Sequence, residues 1–524
     1  MRNGYAGIAL ALAAAGAAMP AIAQPAAPAR ILRLDVAKPQ GPVDRFFDLS
    51  VGSDFPGTLA RADSQGQLAT AVPELGFRMI RFHGIFHDVL KTVRQQPDGT
   101  IAYDWTGIDR LYDDLLAKKI KPFVELGFTP EALKTSDNSI FYWKGNTSHP
   151  KLGPWRDLVD AFARHLIQRY GVAEVRTWPF EVWNEPNLEG FWEGADQKAY
   201  FELYDVTART LKAVDPALRV GGPSTAGAAW VPAFLAHVAG AQVPIDFVTT
   251  HTYGVDGGFL DEKGEKDTKL SPSQDAIIGD VLKVRREIAA SPFPRLPLYF
   301  TEWSTSYTPR DAVHDSYVSA AYILTKLKAV QGAVQAMSYW TYSDLFEESG
   351  PPPAPFHGGF GLMNREGIRK PAWFAYKYLN ALRGETLATG DSHSMAARDG
   401  ARVVALVWDW HQPAQAVSNR PFYTRILPSK PEAPAALTVS GLKPGRYRLR
   451  VHRTGYRNND AYSAYIDLGM PKTLTAAQLR QLQGLTRDLP EIDKVVRVGT
   501  RGSFAYRLPL ATNDLALVTL EPAR

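Results

Sequence analysis

The sequence predicts a (β/α)8 barrel followed by a β-sandwich, and three observations carry that prediction. Short apolar runs alternate with longer amphipathic ones from about Phe47 to Leu382, eight of the short runs read as strands, and beyond about Gly384 the helical period largely fades. An open doubly wound sheet is the competing architecture. It is weaker because no Gly-rich dinucleotide fingerprint follows the first strand.

The elements follow in order. "MRNGYAGIALALAAAGAAMPAIAQ" has a basic start, an apolar run and a small-x-small ending at Ala21-Ile22-Ala23, the pattern of a secretory signal cut after Ala23. A membrane anchor is the other reading, but the apolar run is short of about 20 residues and Pro20 interrupts it. Residues 24–46 read as a Pro/Ala linker and one strand, "ILRLDV", that joins the sandwich.

The barrel is assigned to 47–382, with strands in "DLSVGSD", "RMIRFHG", "KPFVELG", "PFEVWNE", "LRVGGPS", "IDFVTTHTY", "PLYFTEW" and "AMSYWTY". Between them, Trp155, Val159, Phe162, Leu166 and Tyr170 share one helical face closed by Gly171. A second helix stops at Pro216 and a third is expected to start near Val313. Residues 383–524 form the sandwich, in which Tyr447, Leu449 and Val451 alternate with arginines and "TAAQLRQLQGL" is a helical interruption. Trp408, Trp410 and Tyr456 are its candidate sugar-stacking residues, although a bracing role for the domain is the plainer expectation.

Composition narrows the function classes. With 45% hydrophobic residues the chain is globular, and its 12 Trp, 22 Tyr and 24 Phe can supply stacking surfaces. The absence of cysteine removes disulfides, thiolate metal sites and a Cys nucleophile. A net charge of +5, dispersed along the chain, gives no nucleic-acid footprint. After signal cleavage no segment reads as a membrane span, so a secreted or periplasmic protein is expected.

Reactive groups of a (β/α)8 barrel sit at the C-terminal ends of its strands. There the sequence places Asn184 and Glu185 (fourth strand), His251 and Tyr253 (sixth), Glu302 (seventh), and Arg81 with His83 (second). Strands four and seven face each other, so Glu185 and Glu302 can meet across one cleft. Two opposed carboxyl groups suit glycoside cleavage, one protonated to donate to the departing oxygen and one ionised to attack the anomeric carbon. Either glutamate alone would read as a solvated loop acid; the pairing favours catalysis. His251 by itself fits a core imidazole, and Tyr253 and Trp340 fit barrel packing equally well. His87 and Asp88 suggest a metal, but no third ligand is apparent, and no metal or cofactor is expected.

The set "RFHGIFHD", "VELGFTP", "WNEPN", "THTYG", "TEWSTSY", "YWTYSDLFEESG" and "PFHGGFGLMNREGIRKPAWFAY" resembles glycoside hydrolase family 39, the β-xylosidases and α-L-iduronidases, across Arg81–Tyr376. "WNEPN" recurs through the wider clan of (β/α)8 retaining glycosidases; the eighth-strand segment is more discriminating. The resemblance implies Glu185 as general acid/base and Glu302 as nucleophile. It implies Asn184 on the sugar 2-hydroxyl, His251 and Tyr253 at the cleaved bond, His83 as a sugar contact, and Trp340 with Phe128 as apolar walls.

The family divides between substrates with and without a carboxylate at C5. A uronate site should offer Arg or Lys, whereas "YSDLFEES" offers Glu347 and Glu348, an acidic pair that matches the β-xylosidases and would repel a uronate. The expectation is an exo-acting retaining β-xylosidase on oligosaccharide or aryl-glycoside substrates. An α-L-arabinosidase, an exopolysaccharide endo-hydrolase and a non-catalytic carbohydrate-binding protein are the alternatives. The insertions "NSIFYWKGNTSHPKLGPW" and "GVDGGFLDEKGEKDTKLSPSQ" are candidates for walls that close the cleft. The sequence leaves the oligomeric state open.

Overall fold

The computed structural model describes residues 30–523, so the signal segment and its cleavage point lie outside the described residues. The eight barrel strands are Ser50–Ser53, Met79–Phe82, Lys121–Leu126, Pro179–Val182, Arg219–Thr225, Phe247–Tyr253, Leu298–Ser304 and Ala336–Tyr339. The third is broken at Phe123, after Pro122, which has no N–H to give to a ladder. Its first half pairs in parallel with the second strand and its second half with the fourth, which closes the ring.

Each strand is followed by a helix, from Ala62–Leu75 after the first to Pro371–Asn380 after the eighth. In Leu152–Tyr170 the residues Trp155, Val159, Phe162 and Leu166 are fully buried, and Gly171, at φ 84°, ends the helix. The helix expected near Val313 begins instead at Val318. Before it, Asp311 caps a short 3-10 turn at Ala312–His314, and its carboxylate also accepts from Thr268 and Asn419, which ties the turn to the loop after the sixth strand and to the C-terminal region.

The period of two along the strands positions the site. Inward side chains near the barrel floor, Met79, Phe123, Phe247, Tyr299 and Ala336, form an apolar layer. Two residues further along the same strands come Arg81, Glu125, Thr249, Thr301 and Ser338, all buried. The barrel interior thus changes from oil to charge one pleat below its mouth.

The sandwich pairs Arg30–Asp35 in parallel with Pro431–Ser440, which pairs antiparallel with Phe504–Ala511. A seven-stranded sheet that includes Arg402–Trp408, Gly445–Thr454 and Leu515–Pro522 packs against it through Leu34, Leu437, Leu449, Val451, Leu508 and Val518. The helix Ala476–Leu485 lies within "TAAQLRQLQGL", opened by a Thr475/Gln478 capping box; the helix Ala461–Asp467 had no clear signal in the sequence. The three proposed stacking aromatics are turned toward the barrel. Trp408 is fully buried and donates to Thr325 Oγ1 at 3.0 Å, Trp410 packs on Tyr322, and Tyr456 on Tyr317. Among the described residues no helix is long and apolar enough to cross a membrane.

Candidate active site

The motif "WNEPN" is built by local hydrogen bonds. Trp183 is fully buried and donates Nε1–H to the Phe191 carbonyl at 2.7 Å. Asn187 pairs with both backbone groups of Ala226, accepting from N at 2.8 Å and donating to O at 3.1 Å, so the fourth-strand loop is fastened to the fifth. Between these anchors Glu185 takes a left-handed backbone, φ 46°, with its N–H on the Ser224 carbonyl. For a non-glycine residue that conformation costs about 1 kcal/mol, held here by the anchors on either side. The carboxyl of Glu185 is thereby aimed into the mouth, where 7% of the residue remains exposed.

Glu302, at the end of the seventh strand, receives two donors. Arg81 approaches Oε1 at 2.7 Å and the Tyr253 hydroxyl donates to Oε2 at 2.7 Å. The same guanidinium also binds Glu181 (2.5 Å), Glu125 (3.0 Å) and Asn184 Oδ1 (2.8 Å), and none of its side chain is exposed. A fully buried cation is tolerable here because every face meets an acceptor. His251 lies between the glutamates, with Nδ1 2.9 Å from Glu185 Oε1 and 3.7 Å from Glu302 Oε2. One oxygen of each glutamate and this nitrogen all lie within 4.8 Å of one another.

The environments differ in sign. Burial pushes the Glu185 carboxyl up to about 7, against the opposing pull of His83 and Arg81. Burial likewise pushes His251 down to about 4, so its ring is neutral near pH 7. Burial opposes a charge on His83, but Glu125 at 2.8 Å, with Glu348 and Glu302, overrides it and raises the imidazole well above its usual value. Glu348, farther from that imidazolium at 3.4 Å, is pushed up to about 8 by burial and is protonated near neutral pH. Burial and the Glu302 carboxylate raise the Tyr253 phenol, which stays a donor.

These groups open into a cavity of about 430 Å³, within the usual range for small ligands, roughly 300–1,000 Å³. Glu185, Glu302, His83, Tyr253, Trp340 and Glu348 line it, all anticipated. Trp340 lies beside His83 and over Arg81, and Gly52 makes room for it: a Cβ there would come within 2.2 Å of the indole. Asn184 and His251 sit behind the lining, buried against Arg81 and Glu185 respectively.

Two anticipated contacts are placed elsewhere. Phe128 does not line the cavity but packs behind His83, against Trp143 and Trp183. Glu347 turns away to an ion pair with Arg61 at 2.7 Å, its N–H held by Asp54, while Glu348, inside the turn that the Gly350 N–H closes on the Glu347 carbonyl, faces the cavity.

Sequence reasoning missed Phe191, Tyr307, Phe360 and Asp280 on the cavity wall, which loops and a helix bring from distant positions without a motif. It also missed Glu125 and Glu181, although their strand positions, level with Arg81, could have signalled a charged layer. Both insertions form hairpins, Ser139–Ile140 with Gly145–Asn146 and Val255–Leu260 with Lys266–Leu270. The first stacks Phe141 on His83. The second brings Val255 to the cavity wall.

Glu185, His251 and Glu302 have the donor types and proximity of a metal site. The charges beside them argue against a cation, since the Arg81 guanidinium and the His83 imidazolium stand against Glu302. His87 is engaged otherwise, its Nδ1 accepting from Val89 N and its Nε2 meeting the Trp143 carbonyl.

The family model for glycosyl hydrolases family 39 matches residues 30–503. A β-xylosidase of Geobacillus stearothermophilus is 42% identical over 367 residues, covering 68% of this chain and 73% of its own. The crystal structure of a monomeric β-xylosidase from Caulobacter crescentus CB15 superposes with a TM-score of 0.93 at 69% identity, over 95% of this chain and 100% of that one. That of the family 39 enzyme from Xanthomonas axonopodis pv. citri gives 0.95 at 65%, over 96% and 100%. The chain, a glycoside hydrolase, belongs to family 39.

Proposed function

We propose that this chain is a secreted or periplasmic retaining β-xylosidase that removes xylose from the non-reducing ends of xylo-oligosaccharides. The observation that carries the reading is the unequal pair of carboxyl groups. Glu302, held by two donors, is the nucleophile, and Glu185, raised to about 7 by burial, is the acid. Their nearest oxygens lie within 4.8 Å. Carboxyl groups about 5–5.5 Å apart suit direct attack, whereas inversion needs roughly 6.5–9.5 Å for an intervening water.

In the first step a Glu302 oxygen bonds to the anomeric carbon, the glycosidic C–O bond breaks, and the Glu185 proton goes to the departing oxygen. In the second, water gives a proton to Glu185 and its oxygen displaces Glu302, restoring both groups and the starting configuration. The Asn184 carbonyl is taken by Arg81, so its amide is the part available to a sugar hydroxyl.

Xylose is favoured over a uronate because no Lys or Arg among the described residues that line the cavity offers a C5 carboxylate a partner, and the His83 imidazolium there is already taken up by Glu125 and Glu348. The relatives named as β-xylosidases point the same way. Exo action is supported by the first insertion, whose Tyr142 N–H donates to the Glu348 carbonyl at 2.8 Å and ties that wall to the cavity. Export rests on the signal pattern in residues 1–23.

The test is hydrolysis of p-nitrophenyl β-D-xyloside by the mature chain beside Glu185→Ala and Glu302→Ala, with NMR of the first-formed anomer. β-Xylose appearing first, loss in Glu302→Ala, and azide rescue of Glu185→Ala as the β-xylosyl azide are expected. An α-anomer first, or preference for an arabinoside or a polymer interior, would overturn the reading.

A further inference from the structure

We infer that Glu181 and Thr301 fix the tautomer of His251, and that this tautomer keeps the catalytic proton on Glu185 rather than on Glu302. The inference rests on the acid and nucleophile roles proposed above.

Glu181 is buried and bound by Arg81 Nε at 2.5 Å. Burial opposes its charge, but Arg81 outweighs burial and lowers its pKa, so it is an ionised, acceptor-only group. Thr301 Oγ1 lies 2.7 Å from Glu181 Oε1, and its single hydroxyl proton is therefore committed there. The same Oγ1 is 3.2 Å from His251 Nε2 and can only accept from it. Nε2 must carry the ring hydrogen.

Because the buried ring is neutral, Nδ1 is then a bare lone pair. It faces Glu185 Oε1 at 2.9 Å and Glu302 Oε2 at 3.7 Å. A lone pair set against carboxyl oxygens favours a proton on one of them. Glu302 already receives Arg81 and Tyr253, so the proton falls to Glu185. The other charged or titratable groups facing Glu185 are His83 and Arg81, which favour its ionised form, and Glu125, Glu302 and Tyr253. The reverse tautomer would donate Nδ1–H to Glu185 and support the carboxylate instead. Thr301 and Glu181 are thus positioning residues, acting through His251 without touching substrate.

The first test needs no substrate. Long-range proton–nitrogen NMR of the chain carrying nitrogen-labelled histidine, at about pH 6, should show His251 neutral with Nε2 protonated and Nδ1 bare, assigned by its loss in His251→Gln. An Nδ1–H tautomer or an imidazolium would overturn the inference.

The second test is the pH profile of kcat/KM on an aryl β-xyloside with a poor leaving group. Thr301→Val should move the alkaline limb about one pH unit toward acid, the scale of one hydrogen bond to a charged group. Thr301→Ser should restore it. A dinitrophenyl xyloside, whose leaving group needs little protonation, should lose less than the poor leaving group does. An unmoved limb in a folded Thr301→Val, or one that Thr301→Ser does not restore, refutes the proposal. A wild-type chain inactive on every xyloside would sink the function and with it the catalytic part of the inference, while the tautomer measurement would still decide which His251 nitrogen carries the hydrogen.

Discussion

Replacing Lys370 by Met should loosen the wall that carries Glu348. The ammonium of Lys370 is fully buried, 2.6 Å from Asp315, 2.7 Å from Asp344 and 2.8 Å from the Gly359 carbonyl. The two carboxylates in turn accept from the Gly358 and Gly361 N–H groups, which fastens the loop after the eighth strand to the seventh-strand rim. Burial opposes the lysine's charge, yet two carboxylates outweigh it and raise its pKa. One cation shared by two anions leaves both aspartates raised by burial.

Removing one partner of a buried ion pair costs about 3–5 kcal/mol because the remaining charge is stranded. Lys370→Met strands two. Their folded-state pKa values rise further above the unfolded value, so the folded variant binds more protons than the unfolded chain and its stability increases as pH falls through those values. Urea unfolding should show a deficit of about 3–5 kcal/mol at about pH 8 that shrinks at about pH 5. KM should rise at the higher pH because Phe360 and Glu348 move with the loop. A loss equal at both pH values would mean a packing effect, and one below about 1 kcal/mol would refute the charge argument.

Tyr253→Phe removes a charge-assisted hydrogen bond of 2.7 Å to Glu302; at about 1.5–3 kcal/mol, kcat/KM on an aryl xyloside should fall about 10- to 100-fold. The acid form of Glu185, raised to about 7, is lost as pH rises, so the wild-type alkaline limb should fall near pH 7, read from kcat/KM between about pH 5 and 9. Glu348, raised to about 8, is already neutral at lower pH. Glu348→Gln should therefore keep most activity at about pH 6, whereas Glu348→Ala should raise KM severalfold. Glu347→Gln breaks only a partly exposed ion pair with Arg61 and should change stability by no more than about 1 kcal/mol, with kcat unchanged, by thermal melting and steady-state rates.

The order of strands and helices was legible because period and punctuation are local: Gly171 ends a helix wherever the chain goes, and eight β-then-α units admit few closures. Glu185 and Glu302 were legible too, since a barrel delivers strand ends to one face. Side-chain direction at the loops was not. Nothing local distinguishes Glu347 from its neighbour Glu348, and the choice is made by Arg61, which lies 286 residues away in sequence. Phe128 read as a wall because its aromatic ring adjoins a strand end, but Trp143 and Trp183 take the ring into their own packing.

By itself, then, the sequence determined the architecture, the family resemblance and which residue types reach the barrel mouth, because these follow from backbone periodicity and strand topology. Only the tertiary structure decided how one guanidinium distributes itself over Glu125, Glu181, Asn184 and Glu302, and how Thr301 stands between Glu181 and His251. Protonation states depend on desolvation and on charges a few ångströms away, drawn from strands far apart in the chain.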